Sequence, residues 1–516
     1  MARMSENGEI LTTDAPQAMS WLFVGIVCGL TAILCLLVAL VVVNLGVVGE
    51  WVWPYAKDAQ WDRVWAPGCY FAILAGVVWV VLTKRDLTRL ETGVALAMLV
   101  GLAFGLQLAT AQLGAGGFHE GAFVTLSPWT AGYHSEALKA QDLRQYLAIY
   151  PDTIRAMSVT KYLAHVSNHP PGYIVFYWLL DRIAAASPSL TEAALRTADY
   201  LGPAGADVAG ELGIKLTRSQ EAGVWFSCLA LRLIVCLTII PVYLLAHASK
   251  RPAQAGIMAA AFAALVPAFH LFSPYPDAII IFLAPWVIYF WNKALERRPV
   301  LFGILAGAAF FAATFCSLAV VVLGPMGAMM IVMRWLHPEG RQRLLRNVAT
   351  AAAAGAGAYV ALIFILWLAT GCNLPKVFLV CFEKHSEFYA SVSRTYWKWL
   401  AWNPGDFVLF LGIPAALVAT RRMFAAAQCA KGTRLARLSD DRILFSAAIP
   451  LIILNLLGLN RGEAGRLWLV FMPFFCVGAG WAPDRRGVKT SLLLAAQFAQ
   501  VCVLKLSLDV FGLWTK

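Results

Sequence analysis

The sequence predicts an all-α fold, a polytopic transmembrane helix bundle, and three observations lead there. Hydrophobic residues make up 60% of the 516 residues and charged residues only 14%, with a mean hydropathy of +0.69, which a soluble domain of ordinary surface polarity cannot accommodate. Apolar runs recur from end to end, each near the roughly 20 residues that a helix needs to cross a hydrocarbon core of about 30 Å. The runs are continuous, whereas strands of a membrane barrel alternate over about ten residues. Runs of spanning length number about 13, in a single integral-membrane domain over 1–516.

Taken in order, the first run covers about 20–45. No charged residue lies between Asp14 and Glu50, a stretch too long for a secretory leader, so it reads as a retained helix. It emerges at Glu50-Trp51-Val52-Trp53-Pro54-Tyr55, aromatics suited to the headgroup level. The second run, 67–83, ends in the basic cluster Lys84 to Arg89, which marks a cytoplasmic loop and puts Glu50 outside. The third, 92–115, then delivers the long polar stretch from Gly116 to Gly172 to the outer face.

Further basic loops at Lys250-Arg251, Lys293 to Arg298, Arg334 to Arg346, Arg421 to Arg442 and Arg485 to Lys489 fit the positive-inside pattern. The net charge of +12 is thereby used to orient helices, and no nucleic-acid partner is expected. Ser273 to Asp277, Gly371 to Asn403 and Asn460 to Arg466 fall outside. The parity fails once, because 173–186 and 223–246 both read as crossings, while 188–221 carries eight charged residues, too many for a lipid-facing span. The run after the prolines is therefore expected to dip into the membrane and return.

The stretch 116–172 holds four of the eight histidines (His119, His134, His165, His169) and the carboxylates Glu120, Glu136, Asp142 and Asp152. From Tyr133 to Tyr150 the apolar positions follow helical spacing, which predicts one amphipathic helix on the membrane surface, stopped by Pro151. A second amphipathic piece from Ile154 to His165 leads to Asn168-His169-Pro170-Pro171-Gly172, whose fixed φ angles stiffen the start of the next apolar helix. The eleven cysteines lack metal-type spacing. Only Cys372 and Cys381 share an outer loop, where a disulfide is conceivable.

Three pieces carry a family resemblance: His169-Pro170-Pro171-Gly172 opening an apolar helix, Ser273-Pro274-Tyr275-Pro276-Asp277 opening another, and Gly303-Ile304-Leu305-Ala306-Gly307 opening a hairpin. In this order and spacing, Asn168 to about Met333 resembles the core of the C-type glycosyltransferases, in particular the protein O-mannosyltransferase and lipid A aminoarabinose transferase branch. The resemblance implies an acidic catalytic base in the first large outer loop and a donor phosphate held by basic groups. Members often carry an acidic pair after the first helix, and here Glu50 stands alone.

Glu136 is the first candidate for that base and Asp142 the second, with Glu50 and Glu120 behind them. A carboxylate on an amphipathic helix is also often only its solvated face. His169 suits either the donor phosphate or a cap on the following helix, and Asp277 suits a helix cap and dipole partner. Arg461 and Arg466 bracket Glu463 on the outer side, against the charge rule. Two parallel hydrogen bonds to a lipid phosphate explain them better than a Glu463–Arg466 ion pair. Lys384 and His385, among Tyr389, Trp397 and Trp399, suit sugar and phosphate binding or an interfacial belt.

The expected reaction moves a sugar from a polyprenyl-phosphate donor to a hydroxyl of a lipid, glycan or protein acceptor, on the outer face of a bacterial cytoplasmic membrane, with inversion. Dispersed carboxylates offer no metal cage, and no cofactor is expected. A transporter or lipid flippase is the alternative, although the polar residues concentrate in outer loops and not in two matching broken-helix halves.

Overall fold

The computed structural model describes residues 3–4, 10–11, 19–57, 60–158, 164–201, 205–249, 251–336, 341–429, 440–480 and 487–512. Helices dominate, and the strands among the described residues form only two short pairs, Arg3–Met4 with Ile10–Leu11 and Gly46–Val47 with Trp51–Val52. Nine helices among these residues are long and apolar enough to cross a membrane: α1 Trp21–Ala39, α2 Trp61–Thr83, α3 Arg89–Ala111, α4 Arg218–Ala248, α5 Ala278–Glu296, α6 Pro299–Cys316, α7 Leu318–Trp335, α8 Arg341–Thr370 and α9 Val488–Ser507. The pair Tyr396–Leu411 and Ile413–Gln428, bent by 112°, makes a tenth if taken as one broken span. The protein is a multi-pass membrane protein.

Three further apolar runs fold as the shorter helices Ala253–Ala264, Arg442–Leu456 and Leu469–Ala479. At about 1.5 Å per residue, even fifteen residues reach only about 22 Å. The about 13 expected runs thus comprise nine or ten helices of spanning length and these three shorter ones, of which Arg442–Leu456 and Leu469–Ala479 also run between the two ends of the bundle.

Local signals explain where helices start. Ser20 caps α1, and Thr88 with Glu91 and Thr217 with Gln220 form reciprocal capping boxes that open α3 and α4. α6 and α8 cross closely because Gly307 faces Gly355, where any Cβ would collide with the facing backbone.

The ends of the helices are held differently. At one end, hereafter the basic end, Arg251 Nη2 and Arg422 Nε meet Asp441 Oδ1 at 2.6 and 2.8 Å. Arg334 and Arg442 meet Glu296 Oε1 at 2.7 and 3.1 Å. These pairs join segments far apart in the chain, and Asp441 is fully buried. The expected loops at Lys250, 337–340, 430–439 and 485–486 lie in part outside the described residues.

The opposite end carries 116–217 and the loops at 273–277, 371–395 and 457–466. Here the helix Gly172–Ala186 runs antiparallel to the first half of α4. Its Tyr173 bonds Asp277, and its Asp181 sits against Gly223. The chain turns at Ser187 into the helix Pro188–Leu201, and Glu192 forms a two-point ion pair with Arg218 at the start of α4, 2.7 Å for each bond. The segment after the prolines thus leaves and returns at the same end, and α4 is the span that follows it.

The single surface helix expected over 133–150 is two helices, Tyr133–Lys139 and Leu143–Ala156. The break comes at Asp142, whose Oδ1 accepts from Arg144 N and Gln145 N at 2.8 and 3.2 Å, an N-cap that outcompetes a place inside the helix. Carbonyls freed at the break accept from Trp178 Nε1 and Arg182 Nη2, both at 2.9 Å. Pro151 lies inside the second helix and does not end it. Of the second amphipathic piece, 159–163 lie outside the described residues. Cys372 and Cys381 are buried free thiols, not a disulfide.

Asp441→Asn removes the charge shared by two largely buried guanidiniums. We expect a loss of about 3–5 kcal/mol, read as a lower thermal midpoint of the purified protein in detergent. An unchanged midpoint would show that this network does not hold the basic end together.

Candidate active site

Gly172 explains why the proline pair stands where it does. A Cβ there would come within 2.5 Å of the Phe315 carbonyl and 2.8 Å of Cys316 Sγ, so the helix Gly172–Ala186 starts in direct contact with the end of α6. That contact places Tyr173 beside the start of α5, where its hydroxyl donates to Asp277 Oδ1 at 3.1 Å.

Arg466 approaches the same carboxylate from the far end of the sequence, its Nε 3.6 Å from Asp277 Oδ2. Its Nη2 lies 3.1 Å from the Tyr275 hydroxyl and 3.3 Å from His165 Nδ1, and the guanidinium covers the Tyr275 ring at 4.5 Å. The Nε is buried and finds no hydrogen-bond acceptor among the described residues. The loop at 460–466 therefore does fold onto the stretch 116–172.

The bracketing arginines diverge. Arg461 spends its guanidinium on the carbonyls of Gly458 and Arg394, both at 3.3 Å, and does not reach Asp277. Glu463, held in the left-handed region at φ 56°, pairs with Arg394 Nη2 at 2.8 Å and only distantly with Arg466 Nη1 at 3.9 Å.

Asp277 does not cap α5. Its backbone is already helical (φ −57°, ψ −17°), its side chain makes no cap hydrogen bond, and it is used by Tyr173 and Arg466 instead. His169 does not cap its helix either. Its ring bonds the His165 carbonyl through Nδ1 at 2.8 Å and packs edge-on against Tyr133.

Glu136 is buried, not on a solvated face. One oxygen is 2.5 Å from Lys139 Nζ and the other accepts from the Tyr146 hydroxyl at 3.3 Å. Its neighbour Tyr133 packs on His169 and Tyr173, so Glu136 borders the Arg466 centre without touching it. Asp142 is used as a helix cap. Among the lesser candidates, Glu120 pairs with Lys505 at 3.0 Å, and Glu50 accepts from Thr395 N, Lys398 and Trp399 at 2.8 to 2.9 Å. Those bonds, Thr395 first, hold the Glu50 carboxyl down to about 2.

The helix Leu374–Ser391 runs along Leu143–Ala156, tied by Lys376 to Asp152 at 2.8 Å and Arg155 to Glu383 at 3.5 Å. It brings His385 into electrostatic range of His169. Lys384 is buried and pairs with Glu387 at 3.0 Å, and His385 packs on Tyr389.

No family model and no curated protein matches the chain. The chemistry of the site stands on its own residues: one largely enclosed guanidinium, one carboxylate beside it, and tyrosines around both. Among the described residues, no group of three or more His, Cys, Asp or Glu side chains is placed to hold a metal ion. Sequence reasoning gave no role to Tyr173, Tyr275, Tyr133 or His165. Tyr133 was counted as an apolar position on a helix, and Tyr275 lay unremarked within the 273–277 turn.

Burial, and then the adjacent Arg466, hold His165 well below the usual histidine range. Burial likewise lowers His169, with Asp277 partly opposing it. As pH falls, an unfolded chain takes up its proton at His165 first, near about 6.5. The stability contribution is thus complete above that value and declines toward the depressed folded value. The expected outcome is a thermal midpoint that falls between about pH 7 and pH 5 more steeply in the natural chain than in His165→Gln. Equal slopes would show that this ring titrates normally.

Proposed function

We propose that the protein is a membrane glycosyltransferase that moves a sugar from a polyprenyl-phosphate donor to an acceptor hydroxyl on the outer face of the membrane. The observation that carries this reading is Arg466, an enclosed guanidinium whose Nε makes no hydrogen bond and lies 3.6 Å from the Asp277 carboxylate. A guanidinium in low dielectric is the group best suited to a phosphate that gains charge as it leaves.

In the proposed step the acceptor oxygen attacks the anomeric carbon, and the bond from that carbon to the phosphate oxygen breaks. The bonding electrons leave with the lipid phosphate, whose charge Arg466 stabilises with help from the Tyr275 hydroxyl. The acceptor proton passes to a carboxylate. Asp277 is preferred for this, because it stands beside Arg466, whereas Glu136 pairs with Lys139 and Tyr146 away from that guanidinium. Attack opposite the leaving phosphate inverts the anomeric centre. Glu136 then serves to hold the helices that carry Tyr133 and Tyr146, and His169 and His385 line the approach.

Purified protein in proteoliposomes, given a panel of radiolabelled polyprenyl-phosphate sugars, is expected to transfer label to an acceptor lipid, glycan or protein. Arg466→Lys keeps the charge and loses the fork, and is expected to reduce turnover by about 10²–10³. Asp277→Asn is expected to abolish transfer and Glu136→Gln to leave it measurable, with the reverse order assigning the base to Glu136. If no donor supports transfer while the vesicles move a solute or lipid across the bilayer, the protein is a transporter or flippase.

A further inference from the structure

Away from the site end, α5, α6, α7 and α8 enclose a cavity of about 510 Å³, within the roughly 300–1,000 Å³ of typical ligand pockets. It exists because these helices face one another with small residues, Gly303 and Gly307 on α6, Gly324 on α7 and Gly355 on α8, while the large side chains Trp291, Phe310 and Tyr359 form its edges. The cavity is open sideways. Gly324 and Ala328 on α7 and Ala352, Ala356 and Val360 on α8 line it and stay exposed, so α7 and α8 leave a cleft toward the surrounding lipid.

Its lower end lies one to two turns from a strongly basic rim. Trp291 and Ile331 line the cavity, and Lys293 and Arg334 follow them on α5 and α7. Ala351 lines it too, and Arg343 and Arg346 precede it on α8. Segments 293–298 and 334–346 carry seven basic and two acidic side chains. Glu296 is already shared by Arg334, Arg442 and Lys293. Arg297, Arg298, Arg341 and Arg343 are exposed around this rim, and Arg343 Nη2 reaches the Glu296 carbonyl at 3.4 Å.

We propose that this cleft binds one anionic phospholipid of the leaflet at the basic end, with an acyl chain in the cavity and the phosphate against the surplus arginines. Two features with different causes agree on that occupant. The cavity is apolar and opens to the bilayer, so the group that fills it is a hydrocarbon chain. The rim is cationic and lies where a headgroup of that leaflet falls, so the chain belongs to an anionic lipid. The site lies at the opposite end of the bundle from Arg466 and Asp277, and does not depend on the proposed reaction.

Native mass spectrometry of the full chain in mild detergent, titrated with phosphatidylglycerol or phosphatidylcholine, tests this. The natural protein is expected to retain phosphatidylglycerol with a preference of about fivefold or more, given about 1 kcal/mol per basic residue near an anionic surface. Gly324→Leu projects into open space, since a Cβ there meets nothing within 4 Å. It is expected to lower retention of both lipids while leaving the thermal midpoint in lipid-free detergent unchanged. If that variant does not fold, Ala356→Leu fills the cleft from the opposite wall and carries the same expectation. Arg343→Gln is expected to keep retention and reduce the headgroup preference. Equal retention of the two headgroups by the natural chain, cleft-filling variants that bind as the natural chain does, or displacement of phosphatidylglycerol by an equimolar polyprenyl phosphate would each overturn the proposal.

Discussion

A guanidinium taken out of water is tolerated only where the surroundings supply charge and hydrogen-bond acceptors, and the site end is arranged around meeting that demand at Arg466. Asp277 supplies the charge, the Tyr275 hydroxyl and ring supply an acceptor and a π face, and His165 closes one side. Each comes from a different segment. Satisfying one side chain therefore fixes the loop at 460–466, the start of α5 and the end of the long polar stretch relative to one another.

Arg466 is in turn positioned from behind. Gly465 N donates to Asp406 Oδ2 at 2.7 Å, and Trp53 Nε1 donates to the other oxygen of Asp406 at the same distance. Arg394 bonds Glu463 and the Arg461 carbonyl, and Glu50 holds the residues that follow Arg394. The short hairpin after α1 thus reaches the C-terminal loop through the helix Tyr396–Leu411. At the other end the acid–arginine pairs at Glu296 and Asp441 clamp helices without leaving a carboxylate free for chemistry. The two ends use the same residue types, and each leaves a buried guanidinium nitrogen without a hydrogen bond, Arg466 Nε at one and Arg334 Nε at the other.

The spans were legible because hydrocarbon thickness imposes a length and a composition that any reader of the sequence can count. The basic loops were legible as one end of the bundle for the same reason. The site was legible only in part. Arg466 stood out because its charge opposed the topology rule, and that signal is local. Its partners were not local: His165 lies 301 residues away and Tyr275 lies 191 away, and no spacing encodes such a meeting. Asp277 was misjudged because capping is the default for an aspartate at a helix mouth, and the decisive fact, a backbone already helical at that residue, is invisible in the sequence. The burial of Glu136 was not legible for a different reason. An amphipathic pattern shows which face is polar, but not that a second helix, carrying Tyr146, folds over that face.

The difference between Arg461 and Arg466 shows why geometry discriminates where composition does not. Both lie in one seven-residue loop, and both oppose the charge rule. Arg461 is consumed by main-chain oxygens of Gly458 and Arg394, an arrangement that stabilises a turn and leaves little for a ligand. Arg466 keeps a buried Nε without an acceptor, a condition that costs about 1–3 kcal/mol. The side chain cannot relieve this cost by turning outward, since that would forfeit Asp277, Tyr275 and His165 together. A donor that makes no hydrogen bond while Nη2 is held by Tyr275 and His165 is a donor preorganised for an oxygen that arrives from elsewhere. That condition, more than the count of charges around it, separates a binding group from a structural one in this loop.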